Sequence, residues 1–100
     1  MKSRTLNFPG LSKNELHERI NHLMNMYHGE IISNNVSVVR NDDNYNINAS
    51  IRKFILNFHL SGNILVYDNY LTLNFETNIP QDYIEKGISR IVQEMSKRTN

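Results

Sequence analysis

The feature that constrains this chain most is a hydrophobic period that changes twice along it. Tyr45, Ile47, Ala49 and Ile51 are apolar at every second position, with Asn46, Asn48 and Ser50 between them. Phe54, Leu56, Phe58 and Leu60, then Ile64 and Val66, then Leu71, Leu73 and Phe75 keep that alternation. Successive strand side chains point to opposite faces, so these runs predict strands with one face buried and one wet. On either side the period is helical. Leu16, Ile20, Leu23, Met24 and Tyr27 share one helix face, as do Ile84, Ile88, Ile91, Val92 and Met95. Two one-sided helices must bury their stripes, and the apolar face of the sheet is the partner the sequence offers. The predicted fold is α+β: a two-layer sandwich in which a mostly antiparallel meander sheet carries two helices on one face, in the order β-α-β-β-β-β-α.

Local chemistry marks the boundaries. Residues 4–8 read as a first strand, with Leu6 and Phe8 on one face and Pro9-Gly10 stopping it. Ser12-Lys13-Asn14-Glu15 is a capping box, flanked by Leu11 and Leu16 at the positions of a hydrophobic staple. Gly29 is placed to close this helix in a left-handed conformation. Asn34-Asn35 reads as a turn or bulge, Asn41-Asp42-Asp43-Asn44 as a polar turn, Ser61-Gly62-Asn63 as a turn or bulge, and Asp68-Asn69 as a tight hairpin turn. Pro80 suits the first turn of the last helix. Asp82–Lys86 and Glu94–Arg98 are i,i+4 pairs along it, and Lys97 and Arg98 suit its C-terminal dipole. Gly87 falls on its inner side, where a close approach of another element would account for it.

One hundred residues are enough for a single domain, taken as residues 1–100, with one core. Eleven basic and ten acidic side chains nearly cancel, which disfavours steering of nucleic acid or an anionic membrane. The chain has no cysteine, hence no thiolate chemistry and no disulfide. Its basic start is interrupted by Asn7, Pro9 and Gly10 before an apolar run can form, and no stretch is long enough to span a membrane. These features predict a cytoplasmic protein. The sixteen asparagines are spread along the chain and read as codon bias.

Chemistry-bearing constellations are sparse. His17, His22 and His28 are five and six residues apart, never the i,i+4 spacing that places two imidazoles on one helix face. They read as solvated helix-surface residues, and no metal or cofactor is expected. No glycine-rich phosphate loop and no nucleophile elbow occurs. Asp42-Asp43 reads as a solvated turn. The expectation is a non-enzymatic binding or accessory module. Its partner surface is the outer sheet face, where apolar Ile55, Leu65 and Tyr67 mix with the hydrogen-bonding Asn57, His59 and Asn74. A protein partner or a second copy of the chain would meet it there. The alternative is a nucleic-acid-binding or regulatory protein using the same face, although that face lacks central aromatics. A small enzyme centred on His59 ranks third.

Several segments together carry a family likeness: the helix of residues 12–28 with Gly29 behind it, Leu60-Ser61-Gly62-Asn63-Ile64-Leu65-Val66, Asp68-Asn69-Tyr70-Leu71, and Ile79-Pro80 before the final helix. The pattern resembles the small proteins encoded in polyhydroxyalkanoic acid gene regions, the polyhydroxyalkanoate granule system family. This chain is richer in asparagine, poorer in alanine and arginine, and longer across residues 41–53 than that family's pattern. The resemblance implies association with a storage-granule surface and supplies no catalytic residues.

Overall fold

The computed structural model describes residues 2–29, 35–53 and 55–97. Strand β1 (Lys2–Asn7) leads through Pro9-Gly10 to helix α1 (Lys13–Met26). Strands β2 (Val36–Asn41), β3 (Asn44–Lys53), β4 (Leu56–Tyr67) and β5 (Tyr70–Thr77) follow, then helix α2 (Gln81–Ser96). All neighbouring strands are antiparallel, in the order β1-β5-β4-β3-β2. The α+β class and the element order are those the sequence predicts. Phe54 of the alternating run, Asn34 of the predicted turn, and Arg98 of the predicted helix pair lie outside the described residues.

Register converts alternation into two faces. Tyr45 pairs Ile64, which pairs Leu73; Ile47 pairs Gly62, which pairs Phe75; Val66 pairs Leu71. These positions face the helices, and Tyr45, Val66, Leu71, Leu73 and Phe75 are buried there with Leu16 and Ile20 of α1 and Ile84, Ile88 and Met95 of α2. Arg4 of β1 forms an ion pair with Glu85, which sets α2 beside that edge. His17 and Lys13 reach the β2–β3 turn, which sets α1 over the other side of the sheet.

The capping box forms: the Ser12 hydroxyl accepts from Glu15 N–H, and the Glu15 carboxylate accepts from Ser12 N–H. Leu16 is buried and Leu11 packs against the core, as a staple requires. The helix stops at Tyr27 rather than at Gly29, and Gly10 is the glycine with a positive φ, +84°. The two hairpin turns are where the polar residues predict them, with left-handed φ at Asp42 (55°) and Asn69 (68°). The β4–β5 turn anchors the β1–α1 connection: Phe8 N–H donates to Asn69 O at 2.7 Å and Lys13 N–H to Asp68 Oδ1 at 2.9 Å.

Two expectations about glycine are corrected. Ser61-Gly62-Asn63 is neither a turn nor a bulge but the middle of β4, paired one-to-one with β5. A Cβ on Gly62 would stand 2.0 Å from the Asn74 carbonyl oxygen and 2.7 Å from Phe75 Cα, so closeness of the neighbouring backbone is what needs a glycine here. At Gly87 the reverse holds. No heavy atom lies within 4 Å of a Cβ placed there, so no close approach accounts for it.

Candidate functional site

An apolar pocket of about 430 Å³ lies between the sheet and α2. Leu60, Gly62 and Ile64 of β4 and Phe75 of β5 form its floor, and Ile84, Gly87, Ile88 and Ile91 its helical wall. The sheet residues reach it because strand alternation turns the even positions of β4 toward the helices. The helix residues reach it because they recur every three or four positions. Both interior glycines of these elements line it, and at Gly87 the missing side chain leaves open space. Tyr83 and Ile91 stand at its rim, 66% and 36% exposed. Asn63 and Asn74 contribute backbone, since their side chains bond to one another on the opposite face. No lining residue is ionisable except Tyr83. The pocket can hold an apolar group of ordinary ligand size. It offers no acid, base or nucleophile beyond a phenol.

A second constellation is polar and buried. His17 is only 6% exposed, and both of its ring nitrogens are engaged: Nδ1 lies 2.5 Å from Tyr45 Oη and Nε2 lies 2.9 Å from Asp43 Oδ1. Lys13 Nζ donates to the other Asp43 oxygen at 3.0 Å. His17 and Lys13 are four residues apart on α1, so one helix face delivers both to the turn. Hydrogen bonds from His17 and then Lys13 hold the Asp43 carboxyl below its ordinary range, and the bond to Asp43 raises the Lys13 ammonium. Burial pushes the Tyr45 phenol up. Arg40 lies over the Tyr45 ring, 5.5 Å from its centroid. Neither His17 nor Tyr45 lines the apolar pocket. The arrangement ties α1 to the β2–β3 hairpin with its polar atoms satisfied, which is a structural role.

This corrects the reading of His17 as a solvated surface residue and of Asp43 as part of a free turn. The sequence carries the signal in retrospect, because His17 shares a helix face with Ile20 and Met24. Arg19 donates to the carbonyls of Met95 and Lys97 and so caps the end of α2. Lys86 does not pair with Asp82 but lies over the Tyr83 ring at 5.8 Å, and Lys97 pairs with Glu94 at 2.9 Å.

The predicted partner residues fall where the alternation puts them. Asn57, His59, Leu65, Tyr67 and Asn74 occupy outward register positions, and Ile55 sits in the β3–β4 turn, 91% exposed. They do not form one patch. Ile55 and Leu65 are ten residues apart along an extended chain, roughly 33 Å. Tyr67 instead stacks on Tyr70 across the hairpin, with centroids 4.7 Å apart. His59 holds the strand end through its backbone, donating to Asn78 Oδ1 at 2.8 Å and accepting from Thr77 Oγ1 at 2.6 Å.

No family model and no curated protein matches this chain. Among solved structures, a TBP-like protein from Parabacteroides distasonis ATCC 8503 is similar, with a TM-score of 0.69 over 98% of this chain and 93% of that one. The two are 11% identical, so the likeness is one of fold.

Proposed function

We propose that this protein is a non-enzymatic binding module that takes a small, uncharged apolar ligand in the pocket between its sheet and α2. The observation that carries this reading is a pocket of about 430 Å³ with an almost wholly hydrocarbon wall in a domain of 100 residues. A concave surface of this size with so apolar a lining is the usual form of a small-molecule site. A ligand entering it removes apolar surface from water without leaving any buried charge unpaired. The granule association implied by the family resemblance belongs to the same proposal, because a polyhydroxyalkanoate is an uncharged aliphatic polyester. A short 3-hydroxybutyrate oligomer with its terminal carboxyl esterified is therefore a ligand of the right class.

The test is titration with the neutral fluorophore N-phenyl-1-naphthylamine, followed by displacement with that oligomer. Saturable enhancement is expected for the parent protein. It should be lost in Gly87→Leu, whose side chain enters the pocket, while circular dichroism stays unchanged. Absence of binding, or equal binding by a folded Gly87→Leu variant, refutes the pocket reading. Failure of the oligomer alone to displace the probe refutes only the polyester as ligand.

A further inference from the structure

The outer face of the sheet has a chemistry of its own. Arg52 and Glu76 are the only fully charged residues at its outward strand positions among the described residues, in a chain where 21% of residues are charged. Arg52 lies beside the β3–β4 turn, opposite Asn57, whereas Glu76 stands opposite Ser61 at the middle of β4; from Asn63 and Asn74 toward the β4–β5 turn the outward positions are uncharged. Eight of the sixteen asparagines stand on this face.

The amides are organised. Ser3 Oγ donates to Asn74 Oδ1 at 2.9 Å, and Asn74 Nδ2 donates to Asn63 Oδ1 at 3.2 Å. This relay crosses three strands and fixes the orientation of both amides, with Asn63 accepting through its oxygen and no acceptor for its Nδ2 among the described residues. Beside it lies a shallow depression of about 400 Å³, lined by Asn46, Asn48, Ser61, Asn63 and Asn74 over the Gly62 backbone. Further along the same face, four residues from Asn63 and roughly 13 Å away, the stacked rings of Tyr67 and Tyr70 are each more than a third exposed.

We infer that this face binds a neutral oligosaccharide or polysaccharide. A sugar hydroxyl both donates and accepts, which matches side-chain amides and hydroxyls that do the same. A sugar ring also presents a C–H face, which matches an exposed aromatic platform. The distance from the depression to the tyrosines calls for several linked sugars rather than one. The surface does not suit nucleic acid, whose phosphates draw affinity from lysine and arginine. It does not suit a typical protein interface either, whose buried centre is apolar. This inference is independent of the apolar pocket on the other face of the sheet.

Isothermal titration with maltohexaose, cellohexaose, xylohexaose and mannohexaose tests it, with heparin and an oligo(dT) strand as charged probes. At least one neutral hexasaccharide should bind saturably, with an affinity little changed between low and high salt. Asn63→Ala and Tyr67→Ala should each weaken it about tenfold, a loss of about 1.4 kcal/mol. Asn48→Ala, at an exposed position, serves as a second variant should Asn63→Ala melt early. The inference is overturned if no neutral hexasaccharide binds, or if the folded variants bind as the parent does. Tighter, salt-sensitive binding of heparin or oligo(dT) overturns it equally, and in the second case assigns the face to nucleic acid.

Discussion

Replacing Gly62 by alanine tests the most exacting feature of the sheet. A Cβ at this position meets the Asn74 carbonyl oxygen at 2.0 Å and Phe75 Cα at 2.7 Å. Both are backbone atoms of the adjacent strand, so no rotamer change relieves the contact. β4 and β5 must part locally, between the Gly62–Phe75 and Asn63–Asn74 pairs. Overpacking of this kind costs about 1–3 kcal/mol, and weakening one or two ladder bonds adds about 1 kcal/mol each. Alanine's smaller backbone entropy loss offsets roughly 0.5–1 kcal/mol. The net is a destabilisation of about 2–3 kcal/mol, a large part of the roughly 5–15 kcal/mol that holds a domain folded. For a domain this size that lowers Tm by roughly 10–20 °C. Thermal and urea melts followed by circular dichroism measure it. A Tm within about 3 °C of the parent, or a rise, would falsify the claim that backbone closeness is why position 62 is glycine.

The other predictions follow from local geometry. Gly87→Ala should stabilise by about 1 kcal/mol, since it sits in a helix with open space around its Cβ; a lower melting temperature would show the position is not free. Ser12→Ala should cost about 1 kcal/mol through loss of the capping box, and an unchanged thermal midpoint would mean the cap contributes nothing. Tyr45→Phe should cost about 1–3 kcal/mol by leaving His17 Nδ1 buried without its partner, which a urea midpoint shift with unchanged slope would report. Because the Asp43 carboxyl is held below its ordinary value, first by His17 and then by Lys13, its contribution is fully present above the ordinary carboxylate range and is lost as pH falls through its folded value. The acid limb of the stability–pH curve should therefore flatten in Asp43→Asn, and an identical limb would remove Asp43 from the account.

Much of the architecture is legible without coordinates, because it depends on interactions close in sequence. The capping box spans four residues, so Ser12 and Glu15 find one another whatever the rest of the chain does. The alternation from Tyr45 to Phe75 assigns inward and outward faces through a strict period of two, and the observed pairing preserves that assignment throughout β3, β4 and β5. The polar hairpin turns are equally local, since Asp42 and Asn69 tolerate left-handed backbone where most residues do not. Gly62 shows where local reasoning ends. Its sequence neighbours suggest a turn, whereas its reason for being glycine is a strand twelve to thirteen residues away that lies almost in contact with it.

What only the tertiary structure decided are the distances between elements. His17 is polar and by composition belongs on the surface, yet it is buried because Asp43 and Tyr45, twenty-six and twenty-eight residues further on, supply partners for both ring nitrogens. The pocket exists because α2 stands away from the floor formed by β4 and β5, and a hydrophobic stripe specifies which face turns inward but not how far from the sheet it settles. The asparagine-rich face likewise needs strand order, since residues of β1, β3, β4 and β5 become neighbours only once the sheet order β1-β5-β4-β3-β2 sets them side by side. Periodicity encodes orientation, which each residue carries by itself. Proximity is a property of pairs, and it is fixed only when the chain has closed on itself.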